Sequence, residues 1–141
     1  MGTEPDILDA YVASGDVKLV FWPVLNHGNP SVYSTLTAVC AGQQDPMLFW
    51  ALHTELFNRL TELYGADRDY YVNLAVTAGA EQAAFEACYD DPDSVAQVTE
   101  LDTIRRDRGI FSQPTFDVNG RILVGRQPFD VFAGVIDDAL P

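Results

Sequence analysis

An α/β chain with a large helical block set between its strands is the fold class that this sequence predicts. Three observations predict it. Residues 17–25, Val17-Lys18-Leu19-Val20-Phe21-Trp22-Pro23-Val24-Leu25, are almost all apolar and rich in β-formers, the pattern of a strand covered on both faces. Asn119-Gly120 separates two short β-type runs, and this dipeptide is a strong hairpin signal because both central positions need positive φ. Between these strands, apolar residues recur at helical spacing in several separate segments. A crossover between parallel strands needs only one helix, so the block is an insertion.

In chain order, residues 5–14 predict a short helix with Ile7, Leu8, Tyr11 and Val12 on one face and Pro5 at its start. Gly15-Asp16 ends it, and the strand of residues 17–25 follows, with Pro23 near its end because proline cannot donate to a ladder. Asn29-Pro30 is an N-cap followed by proline at the first helical position, which starts a helix over 30–42 with Val32, Leu36, Val39 and Cys40 inward. Asp45-Pro46 repeats the signal and opens a longer helix over 46–63. Residues 68–78 and 81–89 are two more short helices, separated at Gly79. Asp90-Asp91-Pro92-Asp93-Ser94 caps a helix over 94–108 that ends at Gly109. The strands 114–118 and 121–124 form the hairpin. Residues 128–140 form an amphipathic helix with Phe129, Phe132, Val135, Ile136 and Leu140 inward.

At 141 residues the chain has the length of one domain, 1–141, with the insertion at about 30–108 and the hairpin and last helix at 114–140. With 48% apolar and 21% charged residues, the composition is that of a globular protein. Acids outnumber bases 21 to 8, giving a net charge of −13. Such a chain is repelled by nucleic-acid phosphate and by anionic membrane surfaces. No apolar run approaches the roughly 18 residues of a membrane span. Met1-Gly2-Thr3-Glu4-Pro5-Asp6 has no basic stretch leading into an apolar one, so it predicts no secretory signal. The two cysteines, Cys40 and Cys88, are far apart and form no CxxC.

The order of elements and several local sequences resemble the DsbA-like branch of the thioredoxin superfamily. Residues 11–21, Tyr11-Val12-Ala13-Ser14-Gly15-Asp16-Val17-Lys18-Leu19-Val20-Phe21, are similar to its helix end and following strand. Cys40-Ala41-Gly42-Gln43-Gln44, then Phe49-Trp50-Ala51-Leu52-His53-Thr54-Glu55-Leu56-Phe57, resemble the start of its helical domain, and Phe85-Glu86-Ala87-Cys88-Tyr89-Asp90 a later helix there. Residues 109–120, through Ser112-Gln113-Pro114-Thr115-Phe116, resemble its loop and hairpin, and Val124-Gly125-Arg126-Gln127-Pro128-Phe129 the entry to its last helix. The resemblance covers almost the whole chain.

That resemblance implies a thioredoxin-like fold and a thiol:disulfide oxidoreductase acting on thiols and disulfides of extracytoplasmic (periplasmic or secreted) proteins. It implies no cofactor and no metal. The family's chemistry needs a cis-proline loop, which by resemblance is Gln113-Pro114-Thr115, with Gln113 facing the backbone of an extended substrate. It also needs a CxxC at a helix N-terminus, where a thiolate is stabilised. No CxxC occurs in these residues, so no catalytic residue is assigned, and the resemblance implies a chain truncated just past that site. The central strand that carries CxxC would lie between residues 17–24 and the hairpin strand 115–118. Three outcomes follow for the gap: the two flanking strands close on each other, a second copy supplies backbone as a homodimer or strand-exchanged assembly, or a partner strand fills it. The dimer or larger assembly is the favoured expectation. Two further classes compete with the oxidoreductase: a non-catalytic peptide-binding or assembly module, and a glutathione-conjugating or isomerase relative of the fold that uses a serine upstream.

On the family's helices, Cys40 and Cys88 form either a structural disulfide of the insertion or two buried, inert thiols, and the family's extracytoplasmic habit favours the disulfide. His53, among Trp50, Leu56 and Phe57, is a packed histidine. His27 lies in an exposed turn. Neither has a cysteine or carboxylate at ligand spacing. Asp90, Asp91 and Asp93 lack the alternating pattern of a calcium loop and serve as helix caps. Glu100, Asp102, Arg105, Arg106, Asp107 and Arg108 form a solvated helix face. Trp22 is a core residue at the strand end that could line a substrate surface.

Overall fold

The computed structural model describes residues 3–141. Met1 and Gly2, the start of the stretch that predicts no secretory signal, lie outside it. The chain forms two compact units. One takes the chain up to Phe21 together with Arg106–Pro141, and the other is Trp22–Arg105.

The first unit begins with α1, Glu4–Ile7, which continues as a wider turn over Leu8–Val12. There Ala13 N–H donates to the Leu8 carbonyl, an i→i+5 bond, at 2.8 Å. The hairpin strands β1, Thr115–Val118, and β2, Arg121–Val124, pair antiparallel with Thr115 opposite Val124 and Val118 opposite Arg121. Asn119 and Gly120 take φ of 49° and 94°, the left-handed pair that a two-residue turn requires. The last helix of the chain, Phe129–Ala139, is α7, numbered after the six helices that precede it. The core of this unit is Ile7, Phe132 and Ile136, with Phe116 set edge-on to Phe132 at 4.6 Å between ring centroids.

The second unit holds α2 (Asn29–Gln44), α3 (Pro46–Asn58), α4 (Arg68–Ala78), α5 (Gln82–Tyr89) and most of α6 (Pro92–Asp107). Local chemistry explains the starts. Asp45, Asp67 and Glu81 accept from backbone N–H groups of the first turns of α3, α4 and α5. Asp91 does the same for Asp93 at 2.9 Å. The core gathers Leu36, Ala41, Leu52, Tyr71, Ala75 and Phe85. Helices α2 and α3 approach closely at Gly42, where an added Cβ would stand 2.8 Å from Cβ of Phe49. Gly42→Ala should therefore force the helices apart and cost about 1–3 kcal/mol, read as a lower urea midpoint. Cys40 on α2 and Cys88 on α5 are joined by a disulfide, with their Cα atoms 5.7 Å apart.

Three expectations need correction. Residues 17–25 form no strand: among the described residues the sheet has only β1 and β2, so that segment has no ladder to join, and the two expected flanking strands do not close on each other. Nor is it covered on both faces, since Val20 is 61% and Trp22 39% exposed. Instead the Trp22 indole donates to the Leu101 carbonyl at 2.9 Å, and Leu25 N–H donates to Asp102 Oδ1 at 3.0 Å. The expected helix 46–63 ends at Asn58, because Arg59 leaves the helical region (φ −111°, ψ 20°) and short i→i+3 turns follow. The charged face of residues 100–108 is not all solvated: Asp102 and Arg105 are only 4% and 5% exposed and pair with each other at 2.6 Å.

Candidate functional site

Helix α6 is closed by Gly109, with φ of 74° and its N–H bonded to the Arg106 carbonyl at 2.8 Å. The loop that follows carries Gln113, Pro114 and Thr115 to the start of β1. The Gln113–Pro114 peptide bond is cis. The Thr115 hydroxyl donates back to the Ser112 carbonyl at 2.6 Å, and the Pro114 carbonyl accepts from Gly125 N–H at 2.8 Å. The last bond extends the ladder one step beyond the Thr115–Val124 pair.

The register decides which backbone groups face outward. In a hairpin closed by a two-residue turn, Val118 and Arg121 are a hydrogen-bonded pair, and such pairs alternate along the strands. Val118, Phe116 and Pro114 therefore turn their backbone groups toward β2. Thr115 and Asp117 turn theirs to the other edge of β1, where no strand pairs among the described residues. Phe116 and Val118 face the core below, while Ile122 and Val124 on β2 are exposed.

Asp117 stiffens this hairpin. Its carboxylate accepts from the Arg108 guanidinium and from Gly120 N–H at 2.7 Å. Those donors, Arg108 first, hold its carboxyl below the usual carboxylate range. A depressed folded-state pKa gives stability that is present above about pH 4 and lost as pH falls through the folded value. The melting temperature of the parent should thus fall more steeply in acid than that of Asp117→Asn, and parallel acid profiles would contradict this.

The cysteines belong to the other unit. Cys40 is buried, Cys88 is half-buried with Ser94 Oγ 3.6 Å from its sulfur, and both are consumed in their mutual bond. His53 is buried among aromatics, stacked on Phe49 and edge-on to Phe57 at 4.9 Å. His27 is exposed and shares a 3.2 Å hydrogen bond through Nδ1 with the Tyr64 hydroxyl. Asp90 pairs with Arg68, which lowers its pKa. No cluster that could hold a metal occurs among the described residues. No helix of the described chain is long and apolar enough to cross a membrane. The Asp102–Arg105 pair is absent from the candidates that the sequence offers. Its signal is the spacing of Val98, Asp102 and Arg105, the buried residues of α6, which fall at i, i+4 and i+7 on one face.

The family model described as "Thioredoxin" matches residues 2–138. The disulfide bond formation protein D of Bacillus subtilis (strain 168) is 25% identical over 139 residues, which cover 96% of this chain and 63% of that protein. The chain thus spans less than two thirds of that relative's length. No solved structure matches with comparable significance. With the family model spanning almost every residue, the chain belongs to the thioredoxin family, as a DsbA-like member of that superfamily.

Proposed function

We propose that this chain is the substrate-holding part of a DsbA-like thiol:disulfide oxidoreductase that introduces or reshuffles disulfides in extracytoplasmic proteins. The observation that carries it is the outer edge of β1, where Thr115 and Asp117 offer backbone groups to an added strand. In this reading that edge takes the strand bearing the CxxC, which lies beyond these 141 residues. The loop at Gln113, Pro114 and Thr115, one step along, grips the backbone of the substrate. A thiolate of the CxxC attacks a substrate sulfur, or a substrate thiolate attacks the oxidised CxxC, through a mixed disulfide that the second thiolate resolves. Two electrons and two protons pass from the substrate dithiol to the CxxC disulfide in the oxidising direction. Cys40 and Cys88 take no part, being bonded on helices of the other unit, and their bond supports an oxidising compartment.

The absence of a CxxC from the sequence favours a second reading, a non-catalytic peptide-binding or assembly module whose β1 edge pairs with a second copy or with a partner strand. One experiment separates the two. Oxidative refolding of a reduced protein is measured with the 141-residue chain and with a version extended upstream by a strand ending in CxxC. Turnover only in the extended version is the expected result. No turnover in either moves the assignment to the binding module. Turnover by the 141-residue chain that Cys40→Ala/Cys88→Ala abolishes would overturn the structural role of that pair.

A further inference from the structure

The helical unit carries an exposed apolar stripe that the redox reading does not use. Met47, Trp50 and Phe57 stand at i, i+3 and i+10 on one face of α3, and Leu60 and Tyr64 are exposed in the turns after it. Met47 is 70% and Leu60 52% exposed. The ring of His53 stands edge-on to both aromatics, 5.5 Å from Trp50 and 4.9 Å from Phe57. Beside Trp50 the surface dips into a shallow, open cleft lined by Val39, Gly42, Gln43, Pro46, Phe49 and Trp50. Aromatic and methionine side chains next to a shallow cleft are the composition of a protein-docking core.

Charge selects the occupant. Trp22–Arg105 holds twelve acidic residues against three arginines and no lysine. All three arginines are already paired: Arg59 with Glu55 and Glu62, Arg68 with Glu86 and Asp90, and Arg105 with Asp102. The remaining field is anionic, so this face repels the same face of a second copy and attracts a cation. We propose that the stripe and cleft form a docking face for a cationic amphipathic helix of a partner protein. Its apolar side would lie along Met47, Trp50, Phe57 and Leu60, with Lys or Arg drawn by the net negative charge of the unit and to the face of Trp50. This inference is independent of the redox assignment and of the β1 edge.

Three fluorescent peptides of about 18 residues, a length of five helical turns, serve as probes in anisotropy titrations. One is a Leu/Lys helix with a single apolar face, one is its Leu/Glu counterpart, and one is the Leu/Lys composition scrambled to have no face. The first should bind roughly tenfold or more tighter than either of the others. Met47→Ser/Leu60→Ser removes two exposed side chains, so it should keep the parent's melting temperature and disulfide while weakening the first peptide roughly tenfold. Equal binding of the faced and scrambled cationic peptides would overturn the proposal, leaving only diffuse charge attraction. Unchanged affinity in the double variant would also overturn it. So would sedimentation showing that the parent self-associates and the double variant does not, because the occupant would then be a second copy.

Discussion

Cys40→Ala/Cys88→Ala is expected to lower the unfolding free energy by about 4 kcal/mol. The bond closes a loop with a sequence separation of 48, and releasing a loop of that size returns about 4 kcal/mol of chain entropy to the unfolded state. Alanine rather than serine is the right replacement, since Cys40 is 1% exposed and a hydroxyl there would be buried without a designed partner. The melting temperature should drop by roughly 10–20 °C for a chain of this size. The parent reduced in mild denaturant and reoxidised after removal of reductant should recover its original midpoint, which assigns the change to the bond. A loss under about 1 kcal/mol would mean that the unfolded chain gains little freedom when the link is cut. Reduction under native conditions should be slow. Attack has to come at half-buried Cys88 and expel the thiolate of Cys40 into an apolar core, where a charged sulfur is poorly solvated.

What the sequence reveals here is what local chemistry decides. The start of α3 is legible because Asp45 caps it and Pro46 preorganises it, both within three residues of the boundary. The hairpin is legible because Asn119-Gly120 solves a backbone problem that few dipeptides solve. Residues 17–25 fail for the opposite reason. Their composition records hydrophobicity and β-propensity, whereas burial and strand identity depend on a neighbouring ladder at the other end of a long contact. The candidate site divides the same way. Gln113-Pro114-Thr115 is proposed from family resemblance alone. That Thr115 and Asp117, rather than Phe116 and Val118, face the open edge follows only from the pairing register. The cysteines show the limit most plainly: two residues 48 apart carry no local sign of the fold that places their Cα atoms 5.7 Å from each other.

Asp102→Ala is the second large effect, with an expected loss of about 3–5 kcal/mol. A single carboxylate oxygen of Asp102 accepts from Arg105 Nε at 3.0 Å, from Arg105 Nη2 at 2.6 Å and from Leu25 N–H at 3.0 Å. Removing it takes these bonds from a buried guanidinium and from a backbone donor together. Asp102→Leu/Arg105→Met removes both charges at once, and replacing a buried pair by apolar side chains is often neutral or stabilising. That double variant should nonetheless stay below the parent by about 1–3 kcal/mol, because the Leu25 N–H keeps no acceptor in it. The difference between the two variants separates the loss of the carboxylate beside Arg105 from the loss of the Leu25 acceptor. Hydrogen exchange at Leu25 supplies an independent readout. Residues 22–25 have no ladder, so their attachment to α6 runs through Trp22 on the Leu101 carbonyl and Leu25 on Asp102. Both variants should speed exchange at Leu25 well beyond the change in global stability. If that amide instead exchanged only as fast as the whole unit opens, Asp102 would serve the helix alone, and the segment would be held by packing.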